Sequence, residues 1–179
     1  MKKIRNICVL IATFLMALVT LSGCMFIQAQ PMRKVKGTYE LTSYSITNGK
    51  TGAVTDYLEV NGYQAYLIVT GNSKGYYVYR TNEEGPYKRE VFLRYVYDQE
   101  QTNKVAQVEY SFGGSEYEHF GVTSGALNYS TTGIYVSDNW YTNGYSKNWE
   151  KVDEATDLSY VNSIFSNIQD YVIDNGEAE

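Results

Sequence analysis

The chain carries a single histidine, His119, within Glu116-Tyr117-Glu118-His119. Two carboxylates and an imidazole so close together are the raw material of a metal site or a general acid–base pair. On an extended strand, however, side chains alternate, so Glu116 and Glu118 share one face and His119 takes the other. Without a second histidine, a transition-metal site would rest on carboxylates alone, a poor donor set for such ions. Gly121-Val122-Thr123-Ser124-Gly125 holds a serine between glycines but lacks the spacing of a nucleophile elbow. Glu83-Glu84 lies beside Gly85-Pro86 and is most simply a solvated charge pair in a turn. A carboxylate pair for glycoside hydrolysis is defined by separation in space, which spacing along the chain does not give. No glycine-rich loop suited to phosphate occurs. The residues therefore specify no catalytic group, no metal ligand and no cofactor, and the chain is expected not to be an enzyme.

The two cysteines are more informative. Lys2, Lys3 and Arg5 precede an apolar run, Ile7 to Leu21, interrupted only by Thr13 and Thr20. Its fifteen residues fall short of the roughly 20 that span a bilayer comfortably. A basic start, a short apolar run and a small-residue exit describe an export signal; an uncleaved N-terminal anchor helix is the alternative. Cys8 sits inside the run as a small hydrophobe. Cys24 closes it, in Leu21-Ser22-Gly23-Cys24, and this stretch resembles the lipobox of bacterial lipoproteins. The resemblance implies that residues 1–23 are a lipoprotein signal peptide. It also implies that Cys24 takes a diacylglyceryl thioether, with further palmitate-type acylation, and becomes the first residue of the mature chain. The protein is then expected in the cell envelope, held to a membrane by lipid and facing away from the cytoplasm. Whether the host has one membrane or two stays open.

Loss of the signal changes the bulk properties. The full chain has 15 Lys+Arg against 20 Asp+Glu; the first 23 residues hold three of the bases and no acid, leaving 12 against 20, a formal charge of −8. Anionic headgroups repel such a domain, so the attachment falls to the acyl chains, at about 0.8 kcal/mol per buried methylene. The acidic balance also argues against a nucleic-acid partner. With Cys8 removed and Cys24 acylated, no thiol remains for a disulfide, for catalysis or for a metal. About 150 residues bury a sufficient core without such staples.

Residues 24–36 contain Pro31 and no clear period, and read as a tether with a small basic cluster, Arg33, Lys34 and Lys36. From Gly37 to Val152 the chain reads as strands and turns, rich in Tyr, Val, Ile and Thr, with Asn48-Gly49, Asn61-Gly62, Gly113-Gly114 and Asn143-Gly144 as punctuation. Nine strands are predicted: 37–46, 64–70, 76–80, 91–97, 105–112, 117–122, 126–130, 133–137 and 145–152, one or two of which can merge or fall away. Short strands at regular spacing predict an antiparallel barrel or sandwich. In the tail, Leu158, Val161, Ile164, Phe165, Ile168, Tyr171 and Val172 fall at helical spacing. Thr156 or Asp157 would cap the helix and Asn175-Gly176 would end it. Its single apolar face predicts packing on the outside of the barrel.

This order of elements is similar to the lipocalin-like group, in which a barrel of about eight strands opens on a glycine–aromatic motif and is followed by a helix. Gly37-Thr38-Tyr39-Glu40-Leu41 stands where that group has Gly-x-Trp, with Tyr39 replacing tryptophan. Lys147 and Lys151, flanking Trp149, are the candidates for the basic residue that the group packs over that aromatic. The resemblance implies an all-β, up-and-down antiparallel barrel over residues 37–175, closed by a C-terminal amphipathic helix, and binding of a small hydrophobic or amphipathic ligand. The cavity candidates are Tyr39, Leu67, Val69, Tyr77, Tyr79, Val91, Leu93, Tyr95, Val108, Tyr110 and Phe112. An eight-stranded barrel either fills its interior with such side chains or leaves room for one ligand, and both outcomes are open at this point. Nineteen tyrosines partly reflect strand propensity. They also suit a second reading, a structural or interaction module that meets an envelope protein or glycan through tyrosine-rich strands.

The anchor has a direct test. Cys24→Ala is expected to abolish lipid labelling and leave an uncleaved or mislocalised product in fractionated cells. Normal maturation with continued membrane attachment would refute the lipoprotein reading.

Overall fold

Alternation of inward and outward side chains runs through eight strands that close on themselves in the computed structural model, which describes residues 32–101, 104–131, 135–136, 140–141 and 143–171. In chain order the elements are β1 (Gly37–Thr47), β2 (Val54–Asp56), α1 (Tyr57–Asn61), β3 (Gln64–Val69), β4 (Lys74–Arg80), β5 (Tyr87–Tyr97) and β6 (Val105–Ser111). There follow β7 (Glu118–Thr123), β8 (Ala126–Thr131), β9 (Tyr135–Val136), β10 (Trp140–Tyr141), β11 (Gly144–Asp153), α2 (Ser159–Ile164) and β12 (Gln169–Asp170). The barrel order is β1-β3-β4-β5-β6-β7-β8-β11, every pairing antiparallel, and β11 returns to β1. Strand spacing leaves an antiparallel barrel or sandwich open; the structure is an all-β, up-and-down, eight-stranded barrel, as the family resemblance implies. The short β2–α1 segment is inserted between β1 and β3, and among the described residues β9 and β10 pair only with each other. The predicted strand 133–137 coincides with β9 in part, its other residues lying outside the described ones.

Two apolar clusters sit on opposite faces of the barrel wall. The inner one gathers Tyr39 and Leu41 from β1, Ala65, Leu67 and Val69 from β3, Tyr77 from β4 and Val91 and Leu93 from β5. Val105, Val108 and Tyr110 from β6, Phe120, Leu127 and Trp149 complete it. Its rings are in mutual contact: Tyr77 lies 5.6 Å from Trp149, Tyr110 stacks on Phe120 at 5.3 Å, and Phe120 meets Trp149 at 6.4 Å. Side chains thus fill the central part of the barrel. Strict alternation in β6 would have put Ala106 inside, but a register shift between Val96 and Tyr97 pairs Tyr97 with Val105, and Val105 joins the core instead.

One end of the barrel is plugged. Residues 32–35 form a helical turn whose Val35 is buried in the inner cluster with Met32 against it. The Tyr39 hydroxyl donates to the Val35 carbonyl at 2.7 Å. These residues, expected within the tether, pack on the domain because Val35 and Met32 find an apolar seat there. Tyr39 is opposite Lys151 in register.

The outer cluster, Tyr66, Ile68 and Val78, is covered by Val161 and Phe165, so the terminal helix does pack outside the barrel. It is shorter than its periodicity predicts. The helix ends at Ile164, Phe165 is extended, and Asn167 takes a positive φ of 58°. Gln169 and Asp170 then pair in parallel with Tyr87 and Lys88. The reason lies in β5: its register with β6 begins only at Phe92, leaving the backbone of its first residues free on that side. Pairing satisfies those groups, whereas another turn of helix would not. The expected end at Asn175-Gly176 lies outside the described residues. Asp157 accepts the Ser159 amide at 2.9 Å, much as a cap would. Among the described residues, no helix is long and apolar enough to cross a membrane.

Phe120 is fully buried between Tyr110, Tyr129 and Trp149. Phe120→Ala should therefore lower stability by about 3–5 kcal/mol, read as a lower urea midpoint with an unchanged slope. A loss below about 1 kcal/mol, the ordinary scale of a surface change, would contradict a close-packed interior.

Candidate functional site

Opposite the Val35 plug the barrel is open. Alternation in β11 sends Lys147 and Trp149 to the same inner face, and β7 does the same for Glu118 and Phe120, so a charged pair lies directly above the packed rings. Lys147 Nζ is 2.8 Å from both oxygens of Glu118, and the lysine side chain is only 11 % exposed. The Tyr110 hydroxyl donates to Glu118 Oε2 at 3.1 Å. The Lys147 ammonium also lies 4.8 Å from the centre of the Tyr44 ring. Around this pair opens a cavity of about 440 Å³. Its walls are the rings of Tyr44, Tyr110, Phe112, Tyr117, Tyr129 and Tyr145, and Ser111, Gly113 and Glu116 complete it with the ion pair.

Tyr44 reaches this wall through a defect in β1. The register with β11 shifts between Leu41 and Ser43, so Thr42 drops out of the ladder and the inward parity passes from Tyr39 and Leu41 to Tyr44. On the neighbouring arc of the mouth the rings continue. Tyr44 touches Tyr57 at 4.6 Å, Tyr57 touches Tyr63 at 5.5 Å, Tyr63 stacks on Tyr79 at 5.8 Å, and Tyr79 meets Tyr87 at 5.9 Å. The Tyr63 and Tyr77 hydroxyls share a hydrogen bond of 2.8 Å.

No family model, curated protein or solved structure matches this chain, so the chemistry of the mouth must be argued from its own side chains.

Three phenols, Tyr44, Tyr110 and Tyr77, are held protonated. Burial, helped by the Glu118 charge, pushes Tyr44 up to about 12, and burial lifts Tyr110 and Tyr77 well above the usual phenol range. They are hydrogen-bond donors and apolar faces at neutral pH, not bases or nucleophiles. Among the described residues no group of three or more His, Cys, Asp or Glu side chains is placed to hold a metal ion. His119 is on the outer face, as alternation requires, with Nδ1 2.7 Å from Glu109 Oε1. Arg94 bonds the other Glu109 oxygen and lies 4.4 Å from the Tyr117 ring centre. Burial works against the Glu109 charge, but the Arg94 and His119 hydrogen bonds outweigh it and hold the carboxyl below the usual range. Arg94, Glu109 and His119 thus form a hydrogen-bonded row across three strands.

The sequence-derived cavity candidates divide in a systematic way. Tyr39, Leu67, Val69, Tyr77, Val91, Leu93, Val108 and Tyr110 are buried in the inner cluster, with Tyr79 and Tyr95 half-buried against it. Phe112, expected inside, is 36 % exposed because it follows the last residue of β6, at the rim. Tyr110 and Phe112 are the two of the eleven that line the mouth cavity; most of the others fill the barrel beneath it. Cys24 lies outside the described residues. Sequence reasoning missed Tyr44, Tyr117, Glu118, Tyr129, Tyr145 and Lys147. A signal for two of them was present: Lys147 shares parity with Trp149, and Glu118 with Phe120. The Trp149 indole Nε1–H is buried without a hydrogen-bond partner among the described residues, a cost of about 1–3 kcal/mol.

Raised phenol values have a consequence for stability. An unfolded tyrosine loses its proton near pH 10, whereas Tyr44 and Tyr95 in the folded chain keep theirs to about 12. The unfolded state then binds fewer protons, so stability is undiminished below about pH 10 and falls as pH rises from there towards 12. Urea midpoints measured from pH 8 to 11.5 should decline above pH 10, with part of the tyrosinate absorbance appearing only on unfolding. Complete tyrosine ionisation near pH 10 without loss of structure would contradict the buried belt.

Proposed function

We propose that this chain is an extracytoplasmic, lipid-anchored, lipocalin-like protein without enzymatic activity, which holds a small hydrophobic or amphipathic molecule at the open mouth of its barrel. The observation that supports this reading most is the mouth cavity, about 440 Å³ with six aromatic rings on its wall and one ion pair at its floor. Small-ligand sites have this volume and this mixture of apolar surface with a few placed polar groups. Because rings fill the barrel below, the ligand would rest across the mouth, its apolar part on the rings and its polar part near Lys147 and Glu118.

The plugged end favours a particular presentation. Met32 is eight residues from Cys24, at most about 28 Å of chain, and the turn that follows is seated in the end opposite the cavity. A lipid on Cys24 would therefore hold the plugged end towards the bilayer and turn the mouth away from it. A second reading draws on the arc of rings from Tyr44 to Tyr87, a surface suited to an envelope protein or glycan.

Native mass spectrometry of the mature protein, released from cells without exogenous amphiphile, should show a displaceable small-molecule adduct. Tyr44→Ala should weaken its retention about tenfold, the worth of one ring contact of about 1.4 kcal/mol. A protein that carries no adduct and takes up none from an envelope extract would overturn the binding reading, and specific crosslinking to one envelope protein would favour the second.

A further inference from the structure

Three of the cavity's rings already hold a cation of the protein itself. Lys147 Nζ lies 4.8 Å from the Tyr44 centroid, the Arg89 guanidinium 4.5 Å from Phe112, and Arg94 4.4 Å from Tyr117. Aromatic faces attract positive charge through the ring quadrupole, most strongly where water is excluded. Rings that line a cavity and are disposed around charge in this way would do the same for a guest.

The charges at the wall point in the same direction. The lining holds two carboxylates, Glu116 and Glu118, against one ammonium, Lys147. Glu118 is committed to Lys147, with both oxygens at 2.8 Å. Glu116 is exposed and makes no ion pair among the described residues, so it supplies the uncompensated charge of the wall. Arg94 is matched by Glu109 on the outer face. Arg89 is not part of the lining: it stands on β5 opposite the inward Tyr77, and its guanidinium is taken up by the Phe112 carbonyl at 3.1 Å and by the Phe112 and Tyr171 rings at 4.5 and 5.6 Å. Beyond the wall, the chain as a whole carries a formal charge of −5, which draws cations towards it and repels anions.

Resting on the reading that the mouth binds a small molecule, we infer that its polar part is an organic cation, a quaternary or alkyl-substituted ammonium group held against the tyrosine wall and balanced by Glu116. A primary ammonium keeps a tight hydration shell, whereas a methylated one sheds it at little cost and presents a broad apolar surface. An aromatic wall favours the second kind.

Choline and 3,3-dimethyl-1-butanol share one shape and differ in charge alone, and 3,3-dimethylbutanoate keeps the tert-butyl group but carries a negative charge at its other end. Choline, 3,3-dimethyl-1-butanol and 3,3-dimethylbutanoate are titrated calorimetrically into the mature lipidated protein in phosphatidylglycerol nanodiscs, with empty nanodiscs as the blank. Choline should bind at least about tenfold more tightly than the neutral alcohol, corresponding to about 1.4 kcal/mol of cation–ring attraction, and the carboxylate most weakly. Glu116→Gln should reduce choline affinity several-fold while leaving the alcohol unchanged. If the alcohol or the carboxylate binds as well as choline, the cation inference is overturned while the mouth remains a binding site. If none of the three binds to the protein, both readings fall.

Discussion

The pairing of β1 with β11 is the contact on which the rest of this structure depends. It runs from Thr38↔Asp153 to Thr47↔Gly144 and joins the first barrel strand to the last, so that the sheet has no free edge around the barrel. On its other side β1 serves two partners in turn, β3 along Gly37–Glu40 and β2 along Ser45–Thr47. A strand that meets a full-length neighbour on one side and two different ones on the other must bend, and the irregularity at Thr42 accommodates this. The bend also delivers Tyr44 to the mouth. Closure and site are thus consequences of one distortion.

The barrel is polarised along its axis. At one end Val35 and Tyr39 close it, with an apolar plug and a buried hydroxyl–carbonyl bond. At the other, Lys147 and Glu118 sit on top of the packed rings, where the lysine is nearly buried and the glutamate only partly so. A charge pair is tolerated there because the Tyr110 hydroxyl and the open cavity meet its remaining hydrogen-bonding needs. Deeper in, Trp149 and Phe120 leave no room for such groups. The open space is therefore confined to the mouth by packing, and Tyr44 and Tyr110 on its wall keep their protons because burial disfavours the phenolate.

Outside the wall, the tail shows how local preference yields to sheet completion. Val161 and Phe165 reach the same patch of Tyr66, Ile68 and Val78 that a longer helix would have covered. Past Ile164 the chain instead supplies a strand to the unpaired side of β5. Helical spacing records which residues are apolar. It carries no information about a distant strand with unsatisfied backbone groups, and a helix as short as Ser159–Ile164 has little stability of its own to set against that demand.

Much of the architecture was legible in the chain: the alternating runs and turn dipeptides predict an antiparallel barrel or sandwich, the family resemblance narrows this to a barrel of about eight strands, and the switch of period near Leu158 predicts a helix outside it. Parity alone also picked out seven of the fifteen buried residues of the inner cluster, from Leu67 to Tyr110. The candidate site was legible only in fragments. Tyr44 depends on a bulge, Phe112 on where β6 stops, and the Lys147–Glu118 pair on β6, β7, β8 and β11 standing side by side, with Glu118 and Lys147 far apart in the chain. Side-chain parity is a property of each strand, and so the sequence by itself determines what can face inward. Which inward residues meet, and whether they fill the barrel or leave a space, depends on register, strand ends and closure, which arise only when the strands are assembled.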